Sequence, residues 1–234
     1  MKHLIIKKNK IFLVTIIFIF SLNFIFSQSD SQKDLNSWTT IGIEYKLNTK
    51  WEFSLEEQLR LKEDISVIDE YFTQFNTEYL LFKGFTIGAG VRFIKENDNR
   101  GKIQGYEDHF RFHFQSSFKH KINKLALKYR LRYQNKNELG KDDVTNQHIR
   151  FKTYVGYNFK NWKLDPKFSA ELYHKIGDEI SNKFDKYRFT LGTEYKFKKL
   201  GKLNIFFRVE KELNELFPET TNIIGLKYIY TIKN

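Results

Sequence analysis

Five basic residues recur at every second position on two neighbouring segments: Lys128, Arg130 and Arg132 in LKYRLRYQ, then Arg150 and Lys152 in IRFK. With the carboxylates Glu52, Glu56 and Glu171 they form a set of fixed charges that could act in two ways. A basic wall attracts anionic solutes along a passage. The same charges, paired with one another, fill an interior and close it. Three serines, Ser54, Ser117 and Ser169, share the spacing of His109 and His148. A lipid- or envelope-modifying hydrolase would need one of them within hydrogen-bond reach of a base. Nothing in the sequence pairs them, so no catalytic residue is assigned. His109 and His113 stand four residues apart, which on a strand is about 13 Å, too far to share one metal ion. The glycines of TIGAGVR have no helix after them and do not form a phosphate loop. NDNRG and GKDDVTN offer carboxylates for calcium, or serve simply as solvated turns. The chain has no cysteine, which removes disulfides, thiolate nucleophiles and cysteine-ligated metals. The expectation is no metal and no cofactor.

These residues lie on strands. From Ser37 to Ile232 bulky apolar residues alternate with charged or small ones, the period of a β-strand. Examples are Phe110, Phe112 and Phe114 against His109, Arg111 and His113, and Tyr129, Leu131 and Tyr133 against Arg130 and Arg132. Eleven such segments can be distinguished. Alternation suits two architectures, because a soluble sandwich and a membrane barrel each have one apolar and one polar face.

Four features favour the barrel. The segments run about 10–13 residues, enough to cross a band about 25 Å tall when tilted. Six glycines, Gly42, Gly88, Gly90, Gly156, Gly192 and Gly225, all fall on the charged parity, where the concave inside of a curved sheet needs room for long side chains. Connections alternate between short ones (around Thr49, Lys83–Gly84, Lys121–Asn123, Asn161 and Leu200–Gly201) and long ones (around Glu63–Asp69, Asn97–Glu107, Lys136–Asn146, Ile176–Asp185 and Asn214–Thr221). Outer-membrane barrels have short periplasmic turns and longer outer loops. Finally, Tyr45, Trp51, Tyr79, Tyr157, Trp162 and Tyr195 sit beside the short turns, as an interfacial aromatic girdle would. The predicted fold is an all-β, antiparallel, up-and-down transmembrane β-barrel of about 10–12 long strands. A soluble periplasmic β-sandwich is the alternative.

The N-terminus carries an export signal. Lys2, Lys7, Lys8 and Lys10 precede an apolar run from Ile11 to Phe26, and the small Ser27 leads into QSDSQKD. The run is short for a spanning helix and has the layout of a cleaved signal peptide. The expected division is signal peptide 1–27, a polar segment 28–36 and a barrel 37–234. Cleavage lowers the net charge from +12 to +8, since it removes four lysines and no acid. Aromatics at 17% suit strands, and a mean hydropathy of −0.55 excludes a bundle of membrane helices. The positive charge follows one parity and forms no patch, so no nucleic-acid partner is expected.

Three positions resist the pattern. Glu57 falls on the apolar parity, where a β-bulge could turn it inward. Pro166 is tolerable only near a strand start or at an edge. Eleven strands conflict with the even number usual for bacterial barrels. An irregular strand in Ser29–Asn36, a segment threaded through the lumen, or one strand outside the wall would each resolve the conflict.

With LKYRLRYQ, KLDPKFSAELYHK and FTLGTEYKF in view, the chain resembles the uncharacterised outer-membrane β-barrels of Bacteroidetes catalogued as domain of unknown function 2490. The resemblance runs from about Trp38 to Ile232. It rests on Trp38, the arginine-rich strand of Arg130 and Arg132, and Pro166, Phe168 and Glu171. It implies a Gram-negative outer-membrane location and the barrel architecture; the expected partners are outer-membrane lipid and the barrel-insertion machinery, and the expected state is a monomer. It carries over no activity and no catalytic residue. One departure is at the end of the chain, where Lys233 and Asn234 follow Tyr230 and Ile232 instead of a terminal aromatic. The expected function is structural or narrow-pore transport, with a lumen lined by Arg, Lys and Glu.

Overall fold

The computed structural model describes residues 33–99, 104–141, 145–157, 159, 163–177, 182–197 and 200–233. The expected signal peptide 1–27 and Trp162 lie outside the described residues. Among the described residues eleven strands follow one another: β1 (Lys33–Lys46), β2 (Trp51–Lys62), β3 (Val67–Phe82), β4 (Phe85–Asp98), β5 (Gly105–Ile122), β6 (Leu125–Glu138), β7 (Thr145–Tyr157), β8 (Asp165–Ile176), β9 (Lys183–Phe197), β10 (Gly201–Glu212) and β11 (Thr220–Lys233). They close into one barrel in chain order, each strand pairing with its sequence neighbours.

The sheet is antiparallel at every junction except its closure. All eleven strands lie in the wall, and β1 pairs with β11 in parallel, with Thr39 opposite Leu226 and Ile41 opposite Tyr228. Directions alternate around an up-and-down sheet, so an odd number of strands leaves one like-directed pair where the ring meets. Both β1 and β11 run from the loop end to the short-turn end.

The faces are assigned as the alternation requires. Among the described residues six large apolar side chains are buried, against sixteen polar or charged ones. Outward positions such as Phe114, Leu131 and Phe207 are 59%, 51% and 47% exposed, whereas Arg132, Arg150 and Glu171 on the inward parity are buried. This is the inverse of a water-soluble core. It excludes the β-sandwich, in which the apolar parity would be the dry interior.

Several boundaries differ from expectation. The strands have 12 to 18 residues, because polar residues continue the ladders past the apolar band. One example is the pairing of Lys95 with Asp108 and Glu96 with Glu107. β1 starts at Lys33, not Ser37. The Asp34 carboxylate accepts the backbone N–H of Glu63 at 3.1 Å and of Asp64 at 3.0 Å, and Leu35 O accepts Ile65 N–H at 3.0 Å. This clasp holds three consecutive residues at positive φ (Glu63 53°, Asp64 54°, Ile65 66°), an unusual conformation for side-chain-bearing residues. It reduces the first long loop to the four residues between β2 and β3.

The connection expected around Asn161 falls mostly outside the described residues, between the end of β7 at Tyr157 and the start of β8 at Asp165. Pro166 is the second residue of β8. It pairs with Thr193 of β9, while the β7 ladder begins only at Lys167, beyond the position that lacks an N–H. Glu57 is not turned inward. The register shift in β2 lies between Arg60 and Leu61, too late to rotate it, and Glu57 is exposed on the outer face between Ile41 and Thr73.

Tight turns follow ordinary chemistry. Asn48 Oδ1 accepts the N–H groups of Lys50 and Trp51, both at 2.8 Å, and the two-residue hairpins at Lys83–Gly84 and Asn123–Lys124 place Gly84 (φ 85°) and Asn123 (φ 53°) in the left-handed region.

Candidate functional site: the arginine belt of the lumen

Register builds the site. Arg130 on β6 stands opposite Lys152 on β7, Lys152 opposite Glu171 on β8, Glu171 opposite Arg188 on β9, and Arg188 opposite Glu210 on β10. The next inward row toward the loop end holds Gln115, Arg132, Arg150, Tyr173 and Lys186. A carboxylate enclosed by cations on three strands therefore results from alternation plus pairing, with no loop involved.

Glu171, 3% exposed, is the centre. Its Oε1 accepts Arg130 Nη2 at 2.7 Å, Arg150 Nη2 at 2.7 Å and Arg150 Nε at 3.0 Å. Lys152 Nζ and Arg188 Nη1 lie 3.6 and 3.8 Å from Oε2. Arg188 also pairs with Glu210, which takes Lys186 at 3.0 Å. Isolated, each buried ion would cost several kcal/mol of desolvation, and only such multiple pairing offsets it.

The positions proposed from sequence separate into three groups. Arg130, Arg150, Lys152 and Glu171 meet. Arg132 lies one row away and donates to Gln115 Oε1 from Nε (3.1 Å) and Nη2 (2.6 Å). Glu52 and Glu56 do not balance this cluster. β2 lies across the barrel from β8, and there Glu52 pairs with Lys46 at 2.8 Å and Glu56 with Lys227 at 2.7 Å.

Two kinds of residue were missed. Glutamines accept hydrogen bonds from arginines that face one another across strands. Gln74 Oε1 accepts Arg92 Nε at 2.7 Å and Arg111 Nη2 at 3.2 Å, and Gln134 Oε1 accepts Arg150 Nη1 at 2.7 Å. Aromatic rings also project inward. The guanidinium of Arg60 lies 3.7 Å from the Trp38 ring centre and that of Arg208 4.6 Å, Arg92 lies 3.3 Å from Phe72, and Arg150 lies 4.3 Å from Tyr173. Such contacts are worth about 0.5–2 kcal/mol each. The signal was available, since all these residues share the parity of the arginines.

The belt is not neutral. Every described arginine, eight in all, sits on the inward parity, and the carboxylates at their level are Glu70, Glu171 and Glu210. Arg92 Nη1, Arg111 Nε and Arg130 Nε are buried with no protein acceptor. An anion would be drawn to these donors.

The other candidates lie apart. Ser54 Oγ accepts Asn76 at 2.9 Å; among the described residues no hydrogen bond joins Ser54, Ser117 or Ser169 to a histidine or a carboxylate. His148 Nε2 lies 2.7 Å from Asp185, and His109 lies 3.5 Å from both Glu96 and Glu107. No group of three or more potential metal ligands occurs among the described residues. Near the short turns, aromatic rings gather in pairs: Trp51 with Tyr79 at 4.7 Å, Tyr157 with Phe159 at 4.5 Å and Tyr195 with Phe197 at 4.8 Å, with Tyr45 half-buried.

A closed barrel with an apolar outside and an arginine-lined inside defines the class as an up-and-down β-barrel whose apolar face is turned outward. Residues 35–212 match the family described as protein of unknown function (DUF2490), and the chain belongs to that family. Among solved structures the chain is similar to the NanC porin in a rhombohedral crystal form, with 14% identity, 76% of this chain and 87% of that chain covered, and a TM-score of 0.46. No curated protein matches.

Proposed function

We propose that this chain is a monomeric outer-membrane β-barrel of a Gram-negative bacterium, with a structural or narrow-pore transport role limited by the arginine belt. Its apolar outer face supports a place in lipid, with Tyr45, Trp51, Tyr79, Tyr157 and Tyr195 at the interface and the insertion machinery as its assembly partner. The observation that carries the reading is the buried network around Glu171. It occupies the middle of the lumen and leaves an excess of guanidinium groups facing inward. Passage through such a level is restricted, and it favours anions. Planar-bilayer recording tests this. The expected result is a small unitary conductance that prefers chloride over potassium, with the preference reduced in Arg132→Ala. Absence of current assigns the structural role. A large cation-selective current, or a current unaltered by Arg132→Ala, contradicts the belt as the limiting element.

A further inference from the structure

The described residues leave a cavity of about 1160 Å³ at the short-turn end of the barrel, and its charges are unbalanced. Nine lysines line it against three acids, Glu44, Asp165 and Glu194. Three pairs of these lysines stand directly opposite each other across strands: Lys46 and Lys233 on β1 and β11, Lys119 and Lys128 on β5 and β6, and Lys196 and Lys202 on β9 and β10. Like charges in direct register destabilise a sheet.

The acids relieve part of this. Glu44 takes Lys202 at 2.5 Å and Lys46 at 3.4 Å, and Glu194 takes Lys167 at 2.8 Å and Lys196 at 3.5 Å. Lys119 and Lys128 have no carboxylate within 4 Å among the described residues. The opposite situation is found at the loop end. There Lys62, Lys95, Lys136 and Lys141 each have a carboxylate partner. Of the nine cavity lysines, Lys46, Lys167, Lys196 and Lys202 thus have a carboxylate partner, whereas Lys119 and Lys128 face the cavity without one among the described residues. Ala126 and Gly156 line the space, and a Cβ added at Gly156 would meet nothing nearer than 3.9 Å.

We propose that this lysine cup binds a soluble, multiply charged anion bearing phosphate or carboxylate groups, a site separate from the arginine belt. On the orientation given above, the ligand enters from the periplasm. The volume lies somewhat above the usual range of about 300–1,000 Å³ for small-molecule sites, so it suits a ligand with several charged groups and its water. Lysine in place of arginine points the same way. Mobile ammonium groups follow charges spread along a ligand, whereas guanidinium forks select one planar group.

Calorimetric titration of the full chain in a neutral maltoside detergent, with inorganic tripolyphosphate as probe, tests the site. One tripolyphosphate should bind per barrel, at least tenfold more tightly than monophosphate, and weaken as salt is raised. The Lys119→Gln/Lys128→Gln double variant should lose at least tenfold in affinity. Without ligand it should melt no lower than the wild type, because it removes a repulsion; Lys95→Gln at the loop end should bind as the wild type does. No binding, or equal binding by the double variant, overturns the site. A second arm uses phosphatidylcholine vesicles with and without phosphatidylglycerol. Unchanged binding supports a soluble ligand, whereas loss of binding with phosphatidylglycerol assigns the cup to lipid headgroups and overturns the soluble one. These outcomes do not depend on conductance, so the cup and the belt can fail separately.

Discussion

Glu171→Gln isolates the charge at the centre of the belt. The amide keeps an oxygen where Oε1 accepts three hydrogen bonds from Arg130 and Arg150, so the shape of the network survives. The loss is the negative charge facing Lys152 at 3.6 Å and Arg188 at 3.8 Å, and the amide N–H₂ then points at two cations. Removing one partner of a buried ionic group costs about 3–5 kcal/mol. The glutamine should fall near the lower end, about 3 kcal/mol, and Glu171→Ala near the upper. For a domain of this size that corresponds to a fall of about 6–12 °C in the melting temperature. The matched control is Glu52→Gln, whose pair with Lys46 is 33% and 41% exposed and should be worth less than about 1 kcal/mol. Urea unfolding from phosphatidylcholine vesicles, followed by tryptophan fluorescence, measures both. A loss below about 0.5 kcal/mol in Glu171→Gln, or equal losses in the two variants, would refute the belt as a buried keystone.

Two further outcomes follow from the geometry. A Cβ at Gly225 meets the Phe206 ring, so Gly225→Ala should cost about 1–3 kcal/mol and Phe206→Ala in the same chain should recover part of it; additive losses contradict the contact. Thr39 and Leu226 are register partners across the parallel closure, and the chain has no cysteine, so Thr39→Cys with Leu226→Cys should oxidise to an intramolecular disulfide, while Thr39→Cys with Tyr228→Cys, one residue pair out of register, should react more slowly.

The sequence revealed those aspects of the fold that depend on alternation. Parity alone assigned Leu131 outward and Arg132 inward, and placed the strand-interior glycines on the crowded side. It could not reveal closure. Nothing local to Thr39 or Leu226 indicates that they pair, because a parallel seam between the ends of the chain is a property of the whole ring. The same limit explains the site. Arg130, Arg150, Lys152 and Glu171 belong to three consecutive strands, and pairing brings them together. Glu52 and Glu56 match them in type and parity, yet lie across the barrel, where nearer lysines take them. Gln74, Gln115 and Gln134 escaped notice because a neutral amide gives no signal until an arginine is seen on either side. The clasp of Asp34 on the Glu63–Ile65 turn depends on contacts about thirty residues apart, and so β1 starts earlier than its apolar pattern.

The central claim is that apolar side chains face lipid and charged ones face the lumen. Nitroxide scanning of β6 from Leu127 to Gln134, one cysteine at a time in phosphatidylcholine vesicles, measures it directly. Collisions with oxygen, which concentrates in the hydrocarbon, should be high at 127, 129, 131 and 133 and low at 128, 130, 132 and 134. A flat profile, or maxima at the even positions, would contradict the account.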